Sequence, residues 1–260
     1  MLFSLDFWWI MIDNIHMKKT FTLEDLNIVY EDNHVIVVVK PQNIPCCPDS
    51  SGDPDLLSVV KEYMVKTYNK PGDAYVGLVH RLDRPTGGVM VYAKTSKASA
   101  RLCDTIKLGE FEKKYLTVVI GTPKEKQISY LTNYLKKDCT RNLVYIAPMS
   151  EEGAKKAILS YKVLDSNETV SLVDVRLHTG RSHQIRVQMA NLGTPLFGDQ
   201  KYGNGKTPVG FNLALWATEI KFEHPTTKAK MVFRVFPPVE STPWNLFNVK
   251  MFLTISIKNN

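Results

Sequence analysis

Apolar and polar positions alternate along the chain in ways that predict a series of strands broken by a few helices. Two β-branched runs, residues 28–30 and Val35–Lys40, flank the polar quartet Glu31-Asp32-Asn33-His34, which predicts a hairpin. Asp53 followed by Pro54 reads as a helix cap and first helical position, and Leu56, Leu57, Val60, Tyr63 and Met64 recur at helical spacing. Residues 88–94 predict a strand, and Ser96 a cap for a short helix carrying Leu102 and Ile106. A strand at 115–120 ends in Gly121-Thr122-Pro123, and residues 157–164 and Val170–Leu177 form a second antiparallel pair. A helix over about 183–192 carries Ile185, Met189 and Leu192 on one face and stops at Gly193. Further strands fall at 213–217, 220–222 and 231–236. Neighbouring strands mostly lack the intervening helix of a doubly wound sheet. The pattern therefore predicts an α+β fold: a mixed, largely antiparallel central sheet with flanking helices and loops.

Composition changes little in this picture. The 260 residues are 44% hydrophobic and 23% charged, ordinary for a globular protein with a sizeable core. The formal charge of +7 favours a polyanionic partner through phosphate contacts, although many basic proteins bind no nucleic acid. Cys46, Cys47, Cys103 and Cys139 match no zinc-ligand spacing and read as free thiols. Residues 2–12 are apolar but short, interrupted by Asp6 and preceded by no basic residue, so neither a membrane span nor a signal peptide is expected. Residues 1–22 are expected to be an N-terminal extension. Met17, followed by Lys18 and Lys19, is the alternative start to Met1. Residues 23–250 then form one domain and 251–260 a C-terminal tail, and the default address is the cytoplasm.

Three segments concentrate polar groups. In His80-Arg81-Leu82-Asp83-Arg84-Pro85-Thr86-Gly87-Gly88, an extended backbone would put Arg81 and Asp83 on the same side. Two readings stand: a surface ion pair beside a turn, or a charged site where the chain's own backbone at Gly87 and Gly88 can approach a ligand closely. His178-Thr179-Gly180-Arg181-Ser182-His183-Gln184-Ile185-Arg186 combines helix-start amides with two arginines, which suits a phosphate or carboxylate but also a plain solvated helix start. Gly198-Asp199-Gln200-Lys201-Tyr202-Gly203, taken singly, reads as a structural loop.

Together these segments resemble a known family. Residues 80–88 with Ala93-Lys94 are similar to the HRLD-x-x-T/S-G…AK signature of RluA-type RNA pseudouridine synthases. Residues 114–121 are similar to their K-x-Y-x-A-x-V-x-G strand, 179–186 to T-G-R-x-H-Q-I-R, and 198–203 to G-D-x-x-Y-G. The likeness runs from about Asn27 to Phe247, in order.

The resemblance implies the pseudouridine synthase catalytic fold and its reaction, with no metal, nucleotide or redox cofactor. An RNA uridine loses its C1′–N1 bond, the uracil turns, and a C1′–C5 bond forms. Asp83 matches the catalytic aspartate, in keeping with the use of carboxylates against positive charge developing at C1′. Covalent attack on C1′ and removal of the 2′ proton both remain open. Arg186 matches the cation that balances Asp83, and Tyr115 the active-site tyrosine expected to stack on uracil; on the residues alone Tyr115 reads as a core aromatic. Arg81 matches the position expected to enter the space left by a flipped base. Lys114, Arg181 and His183 are candidate RNA contacts, and Leu215 a candidate wall of the uracil pocket.

Two departures bear on substrate fit rather than reaction type: Gly87 lacks the family's usual small hydroxyl, and Trp216 stands where a histidine often occurs. Too few residues precede Asn27 for the RNA-binding S4-like domain of many relatives, so selection is expected to rest on the catalytic domain. Ribosomal and transfer RNA both remain open as partners, and a monomer is the simplest expectation. The competing readings are a non-catalytic RNA-binding protein of the same fold, which would not need Asp83, Tyr115 and Arg186, and a carboxylate-based hydrolase. The hydrolase would need a second carboxylate as proton donor, and only Asp199 lies in a motif.

Overall fold

The computed structural model describes residues 21–258. Most of the expected N-terminal extension, and with it the choice between Met1 and Met17, lies outside the described residues. The strands are β1 (Asn27–Glu31), β2 (Val35–Lys40), β3 (Gly77–Leu78), β4 (Gly87–Ala93), β5 (Glu112–Ile120), β6 (Ser129–Asp138), β7 (Leu143–Ile146), β8 (Lys155–Ser166), β9 (Val170–Leu177), β10 (Leu215–Glu223) and β11 (Lys230–Arg234). The helices are α1 (Leu56–Thr67), α2 (Ser96–Lys107), α3 (Gln184–Asn191) and α4 (Val249–Lys258). One mixed sheet runs β1-β2-β4-β10-β5-β9-β8-β6-β7, with β11 added to β10 and β3 to β4. The β4–β10 pair is parallel and the other pairs antiparallel. The predicted class therefore holds.

Period-2 alternation sorts the core into layers. Ile36, Val38, Met90, Tyr92, Tyr115, Val175 and Leu215 face one side, where they pack with Leu56, Val60 and Met64 of α1 and Ile185 and Met189 of α3. Val35, Val37, Val89 and Val91 face the other, against Ala98 and Leu102 of α2. Both faces of β2 and β4 are covered, which explains their unbroken apolar runs. Leu116, Val118, Leu172 and Trp216 extend the second layer toward Trp244, and Phe252 and Leu253 of α4 pack there. Thus α4 occupies most of the stretch expected as a tail.

Several boundaries differ from expectation. Asp55, not Asp53, caps α1 by accepting from the Ser58 N–H, because Arg84 takes the Asp53 carboxylate. Thr95, not Ser96, caps α2. The predicted strands 213–217 and 220–222 are one strand, β10, with an irregularity between Ala217 and Glu219. Strands β6 and β7 had no counterpart in the sequence reading. Among the described residues, no helix is long and apolar enough to cross a membrane.

Candidate active site

Asp83 sits in the loop that leads into β4, at the middle of the sheet. Residues 80–83 alternate as their pattern implies: His80 and Leu82 are buried, while Arg81 is exposed and Asp83 partly so. His80 is an anchor. Its Nε2 accepts from the Val91 N–H at 3.1 Å, and burial, then the Lys113 charge, pushes its pKa down to about 3. Glycine is required at 88, where φ is +124° and a Cβ would meet the Ala217 carbonyl oxygen at 2.3 Å.

The loop is clamped by three residues that the motifs did not single out. Lys40 is fully buried, and its ammonium donates to the carbonyls of Pro41 (2.9 Å), Ile44 (2.6 Å) and Arg84 (2.9 Å). Gln42 Nε2 donates to the carbonyls of Pro85 (3.1 Å) and Leu213 (2.6 Å), tying the Asp83 loop to the entry of β10. Cys46 Sγ accepts from the Leu82 N–H at 3.2 Å and lies 3.0 Å from the Leu82 carbonyl oxygen. A lysine closing the apolar run Val35–Lys40 was the available signal, since a buried cation needs acceptors.

Arg186 projects from α3 and meets two carboxylates. Its Nε and Nη2 donate to Asp199 at 2.7 Å each, and its Nη1 lies 3.6 Å from Asp83 Oδ2. Burial opposes charge on Arg186, but the hydrogen bonds and charge of Asp199, followed by the charge of Asp83, raise its pKa. Asp199, 1% exposed, also accepts from the N–H groups of Lys201 and Tyr202. Nothing in the spacing of the motifs along the chain brings Asp199 to Asp83. The fold does so through a shared guanidinium, with both Asp199 oxygens already accepting hydrogen bonds.

Tyr202 lies under Arg186, its ring centroid 5.0 Å from the guanidinium carbon. Its hydroxyl accepts from the Val144 N–H at 2.9 Å and lies 2.6 Å from His183 Nδ1. His183 occupies the left-handed region, φ 52°, at the start of α3. Burial lowers the His183 pKa, and the Asp83 charge opposes that shift.

Tyr115 is buried in one cluster with Leu82, Ile185, Leu213 and Leu215. Burial and then the Asp83 charge raise its pKa far above the usual phenol value. The fold thus brings Asp83, Tyr115, Arg186, His183 and Leu215 into one region. Lys114 is not among them. It alternates with Tyr115 onto the opposite sheet face, where it pairs with Glu219 at 3.3 Å. Arg181 is exposed, with its Nε bound to the Lys156 carbonyl at 2.9 Å.

Comparison with known proteins agrees with this architecture. A Salmonella typhimurium ribosomal large subunit pseudouridine synthase D is 34% identical over 219 residues, covering 82% of this chain and 64% of that protein. The Vibrio cholerae protein of the same name is 34% identical over 232 residues, covering 82% and 68%. The chain thus spans just under two thirds of the Salmonella relative. Two human structures share the fold: RNA pseudouridylate synthase domain containing 4 (TM-score 0.68, 20% identity, 82% and 88% covered) and domain containing 1 (0.67, 21%, 91% and 96%). Residues 34–191 match the RNA pseudouridylate synthase family, and the chain belongs to that family.

Proposed function

We propose that this protein isomerises uridines of RNA to pseudouridine, with Asp83 as the catalytic carboxylate. The observation that carries the reading is the partly exposed Asp83 facing a buried guanidinium, which a second carboxylate fixes from behind, beside the buried ring of Tyr115. The C1′–N1 bond breaks, uracil turns, C1′–C5 forms, and the C5 proton leaves as N1 gains one, so no atom is lost. Asp83 meets the charge developing at C1′, by attack there or by taking the 2′ proton. Arg186 balances Asp83 before and after that step. Tyr115 gives the uracil a flat apolar surface and Leu215 closes the pocket. Arg81, exposed beside Asp83, fills the stack that the flipped base leaves.

The relatives are named for the large ribosomal subunit, so its RNA is the first substrate to try, with transfer RNA second. The test is tritium release from RNA labelled at uridine C5, comparing wild type with Asp83→Asn. Release by wild type alone establishes the reaction and the role of Asp83. Binding without release from either RNA favours a non-catalytic RNA-binding protein.

A further inference from the structure

On the open sheet face opposite Tyr115, Tyr130 of β6 is 66% exposed, yet it is not a loose surface aromatic. Its ring stacks on His178, with centroids 5.5 Å apart and planes inclined by 26°. His178 is fixed in turn by Ser160, whose Oγ lies 2.9 Å from its Nε2. Burial and the nearby Arg176 charge lower the His178 pKa, leaving the imidazole neutral and the pair a flat π surface. The sheet register sets Tyr130 opposite Ser160 and Tyr134 opposite Lys156, so the exposed Lys156 and Lys162 share the face with this shelf.

The His178–Arg181 turn joins the shelf to the cleft. Arg181 reaches back to the Lys156 carbonyl, and two residues later His183 joins the Tyr202–Arg186 group facing Asp83. Neither Arg181 nor Lys156 has an ion-pair partner among the described residues. An exposed aromatic pair beside unpaired cations, linked by one loop to a carboxylate cleft, has the chemistry of a single-stranded nucleic acid track. Bases stack on such a platform and phosphates follow the cations.

We propose that Tyr130, backed by His178, stacks on a nucleobase of the RNA strand outside the cleft, with Arg181 and Lys156 on its phosphates. The proposal rests on the reading of this protein as one that acts on RNA. The probe is fragmented ribosomal RNA carrying 5-iodouridine, with affinity measured by filter retention and contacts by photocrosslinking. Tyr130→Ala should weaken binding about tenfold, the usual scale of one lost base stack. Tyr130→Phe should bind as wild type. Lys156→Ala should reduce the salt dependence of binding by about one phosphate. The crosslinked peptide should contain Tyr130. Tyr130→Ala with wild-type affinity, or crosslinks confined to the cleft, would overturn the proposal, and so would a wild type that retains no RNA. Tritium release by wild type, measured in parallel, separates the two readings. Loss of affinity in Tyr130→Ala with no release by wild type keeps the platform and removes the synthase. Release with unchanged affinity does the reverse.

Discussion

Arg186 gives two 2.7 Å hydrogen bonds to Asp199 and faces Asp83 across 3.6 Å, so the carboxylate that orients it is not the one exposed to a ligand. A bidentate pair fixes the guanidinium plane, and that plane decides where the third nitrogen points.

Asp199→Asn should therefore act through Arg186. Halving a buried, hydrogen-bonded ion pair costs about 3 kcal/mol of stability, readable by urea unfolding. Loss of the fixed plane should lower the maximal rate of tritium release by about 100-fold, the scale of a 1 Å misplacement. Wild-type turnover in this variant would show that Asp83 does not depend on the pair.

Lys40→Met separates positioning from stability. The change leaves three part-buried carbonyls without this donor, a loss of about 3 kcal/mol at roughly 1 kcal/mol each. Burial, however, already lowers the Lys40 pKa from 10.5 to about 8, so removing the charge returns about 3 kcal/mol. The two nearly cancel. Urea unfolding should move little, while release of the Arg84 carbonyl lets the Asp83 loop shift and turnover fall. A variant that keeps full turnover would show that Gln42 and Cys46 hold the loop alone.

His80 gives the fold an acid-side weakness with a definite sign. Its imidazole stays neutral in the fold to about pH 3, while the unfolded chain takes up the proton near 6.5. The unfolded state thus binds more protons between these values, and stability is whole above about 6.5 and lost as pH falls toward 3. The slope reaches at most about 1.4 kcal/mol per pH unit. His80→Gln keeps an acceptor for the Val91 N–H without titrating, and should flatten unfolding free energy between about pH 7 and about pH 5. An unchanged slope would assign the acid sensitivity to other groups.

The features legible in the sequence were those with local causes. The unbroken run at Val35–Lys40 and the 3.6-residue spacing in α1 follow from burial, and the ordered motifs placed Asp83, Tyr115 and Arg186 in one region. Strand β6 was missed because its outward positions carry Tyr130, Thr132 and Lys136, leaving no strong apolar run, and β7 because its four residues, Leu143–Ile146, are too short to display a period. The Asp199 partnership was hidden for another reason. Only the packing of the 198–203 loop against α3 makes that aspartate an orienting group, and no spacing along the chain encodes the contact. Lys114 shows the converse: a motif position that strand alternation turns to the far face.

Gly87 and Trp216, two departures from the family pattern when read along the chain, are one feature in space. They are register partners in the parallel β4–β10 pair, and a Cβ on Gly87 would lie 2.2 Å from Trp216 Cζ3. The indole fills the room that a side chain at 87 would need. Gly87→Ser alone should overpack this contact and cost about 1–3 kcal/mol. Trp216→His alone should leave a void and also destabilise. Together they should restore much of the loss, because the smaller ring makes way for the hydroxymethyl group. Urea unfolding of the four proteins gives the coupling, expected at about 1 kcal/mol or more in favour of the double variant. Additive losses would mean that each residue answers to a separate neighbour, and that the two substitutions arose without reference to each other.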